Sequence, residues 1–198
     1  MKSIKCDIIG NSLPKIKMDN KSVTKITIRL ENNLNHLQKI FPNLTDVAIR
    51  LNSNYDNNNQ LAIKEIIKSK INKFSLFFNW ESFPIFSNNC NEILDNLKIF
   101  HFKAGLSNKD ILINLYNNIN NMPNLEDFKI ICETKIIIDE NFYKDFISKI
   151  LHLKFIRKVK IYLQNPKNTK YKEYTKEELQ KSLPDLNLRS FFEISIIK

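Results

Sequence analysis

The side chains that could carry covalent or metal chemistry are few and scattered. His36, His101 and His152 lie far apart along the chain, and Cys6, Cys90 and Cys132 form no CxxC pair. A zinc site needs ligands at close, repeated spacing, and a disulfide framework needs an even set of cysteines, so neither is written here. Gly10 and Gly105 are the chain's two glycines, which leaves no glycine-rich loop to cradle a phosphate. HExxH and GxSxG are absent too. Asp139 and Glu140 stand where a helix is expected to begin, and the helix dipole accounts for them. Cys132 reads as a small core residue. No enzyme activity, cofactor or metal is therefore expected, and the chemistry left to look for is that of a binding surface.

Charge bears on that surface. Thirty-one Lys and Arg against 21 Asp and Glu give a net charge of +10 and a pI of about 9.4. Such a balance favours acidic partners, nucleic acid or an anionic surface. Arginine is scarce, standing only at Arg29, Arg50, Arg157 and Arg189, whereas forked recognition of bases and phosphates draws on arginine. Abundant Ile, Lys and Asn beside scarce Gly and Ala is the bias of an AT-rich genome, which by itself raises the lysine count. With 42% hydrophobic residues over 198 positions the chain can bury a core as one domain. The start, MKSIKCDIIG, carries no signal-peptide core, and no apolar run approaches a membrane span. The expectation is a soluble, intracellular, cytoplasmic protein, or one of a host cell's cytosol if the source is a pathogen or virus. The sequons at Asn20 and Asn43 are then chance matches.

The elements that must build the surface announce themselves by repetition. Residues 41–51 read FPNLTDVAIRL and residues 122–132 read MPNLEDFKIIC, the same order of residue classes. Their apolar positions follow Φ-x-x-Φ-x-Φ-x-Φ: Leu44, Val47, Ile49, Leu51, and Leu125, Phe128, Ile130, Cys132. Four further gapless copies start at Val23, Ile71, Leu97 and Ile156, and a looser seventh holds Phe192, Ile194 and Ile196. From Ile26 to Val47, Phe74, Phe100, Phe128, Val159 and Phe192 the successive separations are 21, 27, 26, 28, 31 and 33 residues. Alternation within each copy is the period of a strand with one buried face, and a period of this length is that of a stacked repeat. Helix signals lie between strands at 60–71, 106–122, 139–151 and 175–183. Ser107 with Asp110, and Thr175 with Glu178, have capping-box spacing. Phe142, Phe146 and Ile150 share one helix face.

These copies resemble the leucine-rich repeat, whose strand segment is L-x-x-L-x-L-x-x-N/C, and the long helical connections resemble its ribonuclease-inhibitor-like class. Asn52 and Asn79 stand at the asparagine position; Glu31, Gly105, Glu133 and Gln164 depart from it. The resemblance implies an α/β solenoid of about seven strand-helix units over residues 23–198, with a parallel sheet on its concave face and residues 1–22 as an amino-terminal cap. The alternative is a two-layer α+β domain with a mixed sheet.

If the apolar positions point inward, the residues between them line the concave sheet, where such solenoids take partners. Eight basic residues fall there, from Lys25 to Lys160, against the acidic Asp46, Asp127 and Glu193. Phe77, Ile99, Ile131, Tyr162 and Phe191 are interleaved with them, as in a protein-binding patch. The residues expected to bind a protein partner are Arg29, Arg50, Phe77, Ile99, His101, Lys103, Lys129, Ile131, Lys158, Lys160 and Tyr162. A nucleic-acid or polyanion binder using Lys25, Arg29, Arg50, Lys73, Lys158 and Lys160 is the alternative. A structural piece of a larger assembly is the third reading, with self-association through the carboxy-terminal strand, which reads as an uncapped edge. Trp80, after the third copy, is expected to pack on the rim or anchor a partner.

Overall fold

The computed structural model describes residues 2–8, 20–30, 41–51, 63, 65–66, 70–78, 93–107, 109–134, 140–164, 171–173, 177, 181 and 191–197. Each apolar copy becomes a strand, in several cases entered through a tight turn. In four copies the leading apolar residue closes the turn: the amides of Leu44, Leu97, Leu125 and Ile156 donate to the carbonyls of Phe41, Leu94, Met122 and Leu153, at 3.1–3.3 Å. Pro42 and Pro123 occupy the second position of two of these turns, where a fixed φ is already correct. The asparagine that follows reaches backwards. Asn43 Nδ2 donates to the Lys21 carbonyl at 2.7 Å, and Asn124 Nδ2 to the Asp95 carbonyl at 2.8 Å. The repeated phrase is thus a turn that stitches itself to the preceding unit.

Beyond the turns, nine strands form one sheet: β1 Lys2–Ile8, β2 Val23–Leu30, β3 Asp46–Leu51, β4 Lys73–Phe78, β5 Ile99–Ser107, β6 Asp127–Thr134, β7 Lys158–Gln164, β8 Tyr171–Glu173 and β9 Phe191–Ile197. Their order is β1-β2-β3-β4-β5-β6-β7-β9-β8, parallel throughout except that β8 runs antiparallel to β9. Just before the strands, one carbonyl serves two donors. Thr45 accepts from the amides of Asn72 and Lys73, Asn72 from Lys98 and Ile99, Lys98 from Glu126 and Asp127, and Glu126 from Arg157 and Lys158, all at 2.7–3.1 Å. The same device repeated at four junctions sets the same register at each.

Register aligns like with like. Ile26, Val47, Phe74, Phe100, Phe128, Val159 and Phe192 form one row across the sheet, and Ile28, Ile49, Leu76, Phe102, Ile130, Ile161 and Ile194 the next. Every described side chain in these rows is buried. Phe74, Phe100 and Phe128 stack at 6.2 and 6.1 Å. A fully buried side chain of this size contributes about 1.5–3 kcal/mol through removal from water, so the rows dominate the core.

Two described helices cover this apolar face, α1 Lys109–Asn118 and α2 Glu140–Leu151. Leu112 and Leu115 of α1, and Phe146, Ile147 and Ile150 of α2, join the strand rows in one core, with Phe146 edge-on to Phe128 at 6.2 Å. Phe142 is half-buried and stacks on Phe146. The two helices are clasped: Tyr116 Oη donates to Asp145 Oδ2 at 2.6 Å, and Lys149 Nζ donates to the Tyr116 carbonyl at 2.7 Å. Ile63, Glu65 and Ile66 are helical as well, with both isoleucines buried, and Glu177 and Lys181 are helical within the fourth expected helix. None of the described helices is long and apolar enough to cross a membrane.

The chain is thus α/β, with a parallel sheet and helices in its connections. The mixed sheet of the α+β alternative is met only at β8. One expectation is corrected. The carboxy-terminal strand is not an open edge along its whole length, because β9 lies between β7 and β8, and β8 pairs with Ser195, Ile196 and Ile197 on its outer side. Its apolar residues are in register with β7. At the asparagine position, Glu133 and Gln164 continue their strands and Gly105 sits at a register shift of β5, a bulge for which a residue without Cβ is suited. Asn52, Asn79 and Glu31 lie outside the described residues.

Candidate binding face

The helices described in the connections, α1 and α2, pack on the apolar side of the sheet. The other side keeps the residues between the apolar positions, and register arranges them in three rows. At the strand starts stand Lys25, Asp46, Lys73, Ile99, Asp127 and Lys158; along the middle Thr27, Ala48, Ser75, His101, Lys129 and Lys160; towards the strand ends Arg29, Arg50, Phe77, Lys103, Ile131 and Tyr162. Arg50, Lys103 and Lys158 are exposed, while Phe77, Ile99, His101, Lys129, Ile131, Lys160 and Tyr162 are half-buried. All eleven residues expected to bind fall on this face. Of Arg29 only the backbone is described, between Asp7 and Arg50 in register.

The rows differ in charge. In the first, Asp46 stands in register between Lys25 and Lys73, and Asp127 Oδ2 lies 3.9 Å from Lys158 Nζ. Asp127 Oδ1 lies 3.3 Å from His101 Nε2, outside hydrogen-bond angle. Burial lowers the pKa of His101 from its ordinary 6.5; Asp127 opposes this and Lys73 and Lys129 assist it, so the ring is neutral at neutral pH. In the third row, from Arg50 to Tyr162, no described carboxylate intervenes. There the Arg50 guanidinium lies over the Phe77 ring, 5.6 Å from its centre, and the two are partners in register. In the middle row Thr27, Ala48 and Ser75 carry small side chains. A hollow of about 20 Å³ opens there, lined by Lys25, Asp46, Ala48, Lys73 and Ser75, with room for a single water.

Two contributors lie outside the expected set. Asp127 lies beside His101 and Lys158. On β1, Ser3, Lys5 and Asp7 extend the three rows by one strand. The signal for β1 was present, since Met1, Ile4, Cys6 and Ile8 fit the repeat pattern. Cys132 takes the register position between Ala104 and Leu163. His152 is exposed at the end of α2, its Nδ1 2.7 Å from the Ser148 carbonyl. Trp80 and His36 lie outside the described residues. Compared with protein-family models, with curated proteins and with solved structures, the chain matches none of them.

Proposed function

We propose that this chain is a noncatalytic, leucine-rich-repeat-like module that binds a protein partner on the polar face of its sheet. One observation carries the reading: Phe77, Ile99, Ile131 and Tyr162 are only half-buried, on a face with no described helix, while the opposite face of the same strands is buried under α1 and α2. A face serving only for solvation has little use for such side chains, whereas aromatic and aliphatic residues among charges suit recognition of another protein. The sequential parallel order of the strands supports the solenoid, since stacked strand-helix units produce it.

The nucleic-acid alternative draws on Lys25, Arg29, Arg50, Lys73, Lys158 and Lys160, whose register positions lie on the same face. A phosphate backbone laid across the strand starts would also meet Asp46 and Asp127, so we rank it second. The test is a pull-down from host lysate, comparing the wild type with a Phe77→Ala/Ile131→Ala/Tyr162→Ala variant, each with and without nuclease. A protein retained by the wild type, resistant to nuclease and lost from the variant is expected. Recovery that vanishes with nuclease and ignores the substitutions makes the lysines the function instead, with an affinity falling steeply with salt.

A further inference from the structure

We infer that the partner segment is an extended, acidic peptide carrying apolar side chains, laid across the strands from β3 to β6. The inference rests on the protein-binding reading and adds the chemistry of the partner. Charge complementarity selects it. At the strand starts the cations already have carboxylates beside them, Asp46 among Lys25 and Lys73, and Asp127 near Lys158. Towards the strand ends Arg50 and Lys103 are exposed, flank Phe77 in register, and have no ion pair among the described residues. Ile131 follows Lys103 on the next strand. Cation and apolar side chain thus alternate along one line: Arg50, Phe77, Lys103, Ile131.

The complement of that line is a chain in which carboxylate and apolar side chains alternate at every second residue, because an extended peptide turns every second side chain to one face. Three strand spacings span about 14 Å, the length of about four extended residues. Stacking on Phe77 holds the Arg50 guanidinium in place, so its fork meets a carboxylate with less ordering cost than a free lysine would incur. Neutral His101 in the middle row adds no positive charge at neutral pH, which leaves Arg50 and Lys103 to set the preference.

The test is fluorescence anisotropy with labelled synthetic peptides of about ten residues, long enough to cover the line. Three mixtures are used, each with Ser at every second residue and, at the residues between, Asp/Glu alternating with Leu/Phe, Asp/Glu alone, or Leu/Phe alone, beside an oligothymidylate of similar length. The acidic-apolar mixture is expected to bind, and Lys103→Glu, Arg50→Glu and Phe77→Ala each to weaken it by about tenfold or more. Lys154→Glu, which changes net charge equally at an exposed turn away from the face, is expected to change binding by less than about twofold. Arg50 and Lys103 are exposed, so their reversal leaves the core intact, and unchanged melting of each variant verifies it. Equal binding of the Leu/Phe–Ser mixture, indifferent to Lys103→Glu but lost in Phe77→Ala, overturns the acidic partner and leaves a protein-binding face. Binding of oligothymidylate and the acidic-serine mixture, indifferent to Phe77→Ala, overturns both. No binding by any mixture overturns the inference, and the pull-down then judges the protein-binding face alone.

Discussion

His101 shows how a residue's setting outweighs its type. On sequence it is a lone surface histidine, but register puts it among Ser75, Lys129, Lys73 and Asp127, with a side chain 25% exposed. Burial lowers its folded pKa below the unfolded 6.5, more than Asp127 raises it. A depressed pKa means that the stability tied to the neutral ring is present above pH 6.5 and is lost as pH falls through the folded value. Melting temperature is therefore expected to drop between about pH 7 and about pH 5.5, above the carboxylate range, and to drop less in His101→Gln. Equal slopes for the two proteins would remove His101 from the account. The asparagines of α1 make a similar point. Asn118, 3% exposed, donates to the Asn114 carbonyl at 2.8 Å and accepts from Asn121 Nδ2 at 3.1 Å. Buried amides hold their place only when paired, and nothing in the string NNINN distinguishes the inward asparagine from its neighbours.

Turns and strands do different work. The strands carry burial, but the turns carry register, because a slip of one residue would move every phenylalanine of the core to the polar face. Asn124 holds one such turn through the Asp95 carbonyl, in an exposed setting. Asn124→Ala is expected to lower stability by about 0.5–1.5 kcal/mol in urea denaturation, with an unchanged m-value. No measurable change would mean that the Met122–Leu125 turn and the paired amides at Lys98 suffice without it. The clasp between α1 and α2 has its own pH limit. The hydrogen bond to Asp145, aided by some desolvation, raises the Tyr116 pKa above 10.0, so its contribution is complete below pH 10 and is lost as pH rises through the folded value.

At the scale of the whole molecule the sheet decides what can be removed. Residues 190–198 contain β9, which bonds to β7 on one side and β8 on the other. Deleting them is expected to expose the β7 edge and strand β8, lowering the melting temperature and promoting aggregation rather than converting an assembly into a monomer. A deleted chain that melts like the wild type but sediments as a smaller species would restore the edge-pairing reading. At its outer side the sheet ends in three residues, Tyr171–Glu173, two of them charged, as edges that resist further pairing commonly do.

The strands and their buried face were legible in the sequence, because alternation and a recurring leading apolar residue are local properties that each copy states by itself. So were the helix of residues 140–151 and the interleaved positions of the polar face. Tertiary structure alone decided which strands are neighbours, and with that which side chains share a row. Lys158 meets Asp127, and Arg50 meets Phe77, across connections of more than twenty residues that no local pattern measures. The covering of β9 by β8 was likewise hidden, since Tyr171–Glu173 is too short for its period to show and becomes a strand only by pairing. Distance along the chain fixes what a segment is; hydrogen bonding across the sheet fixes what stands beside it.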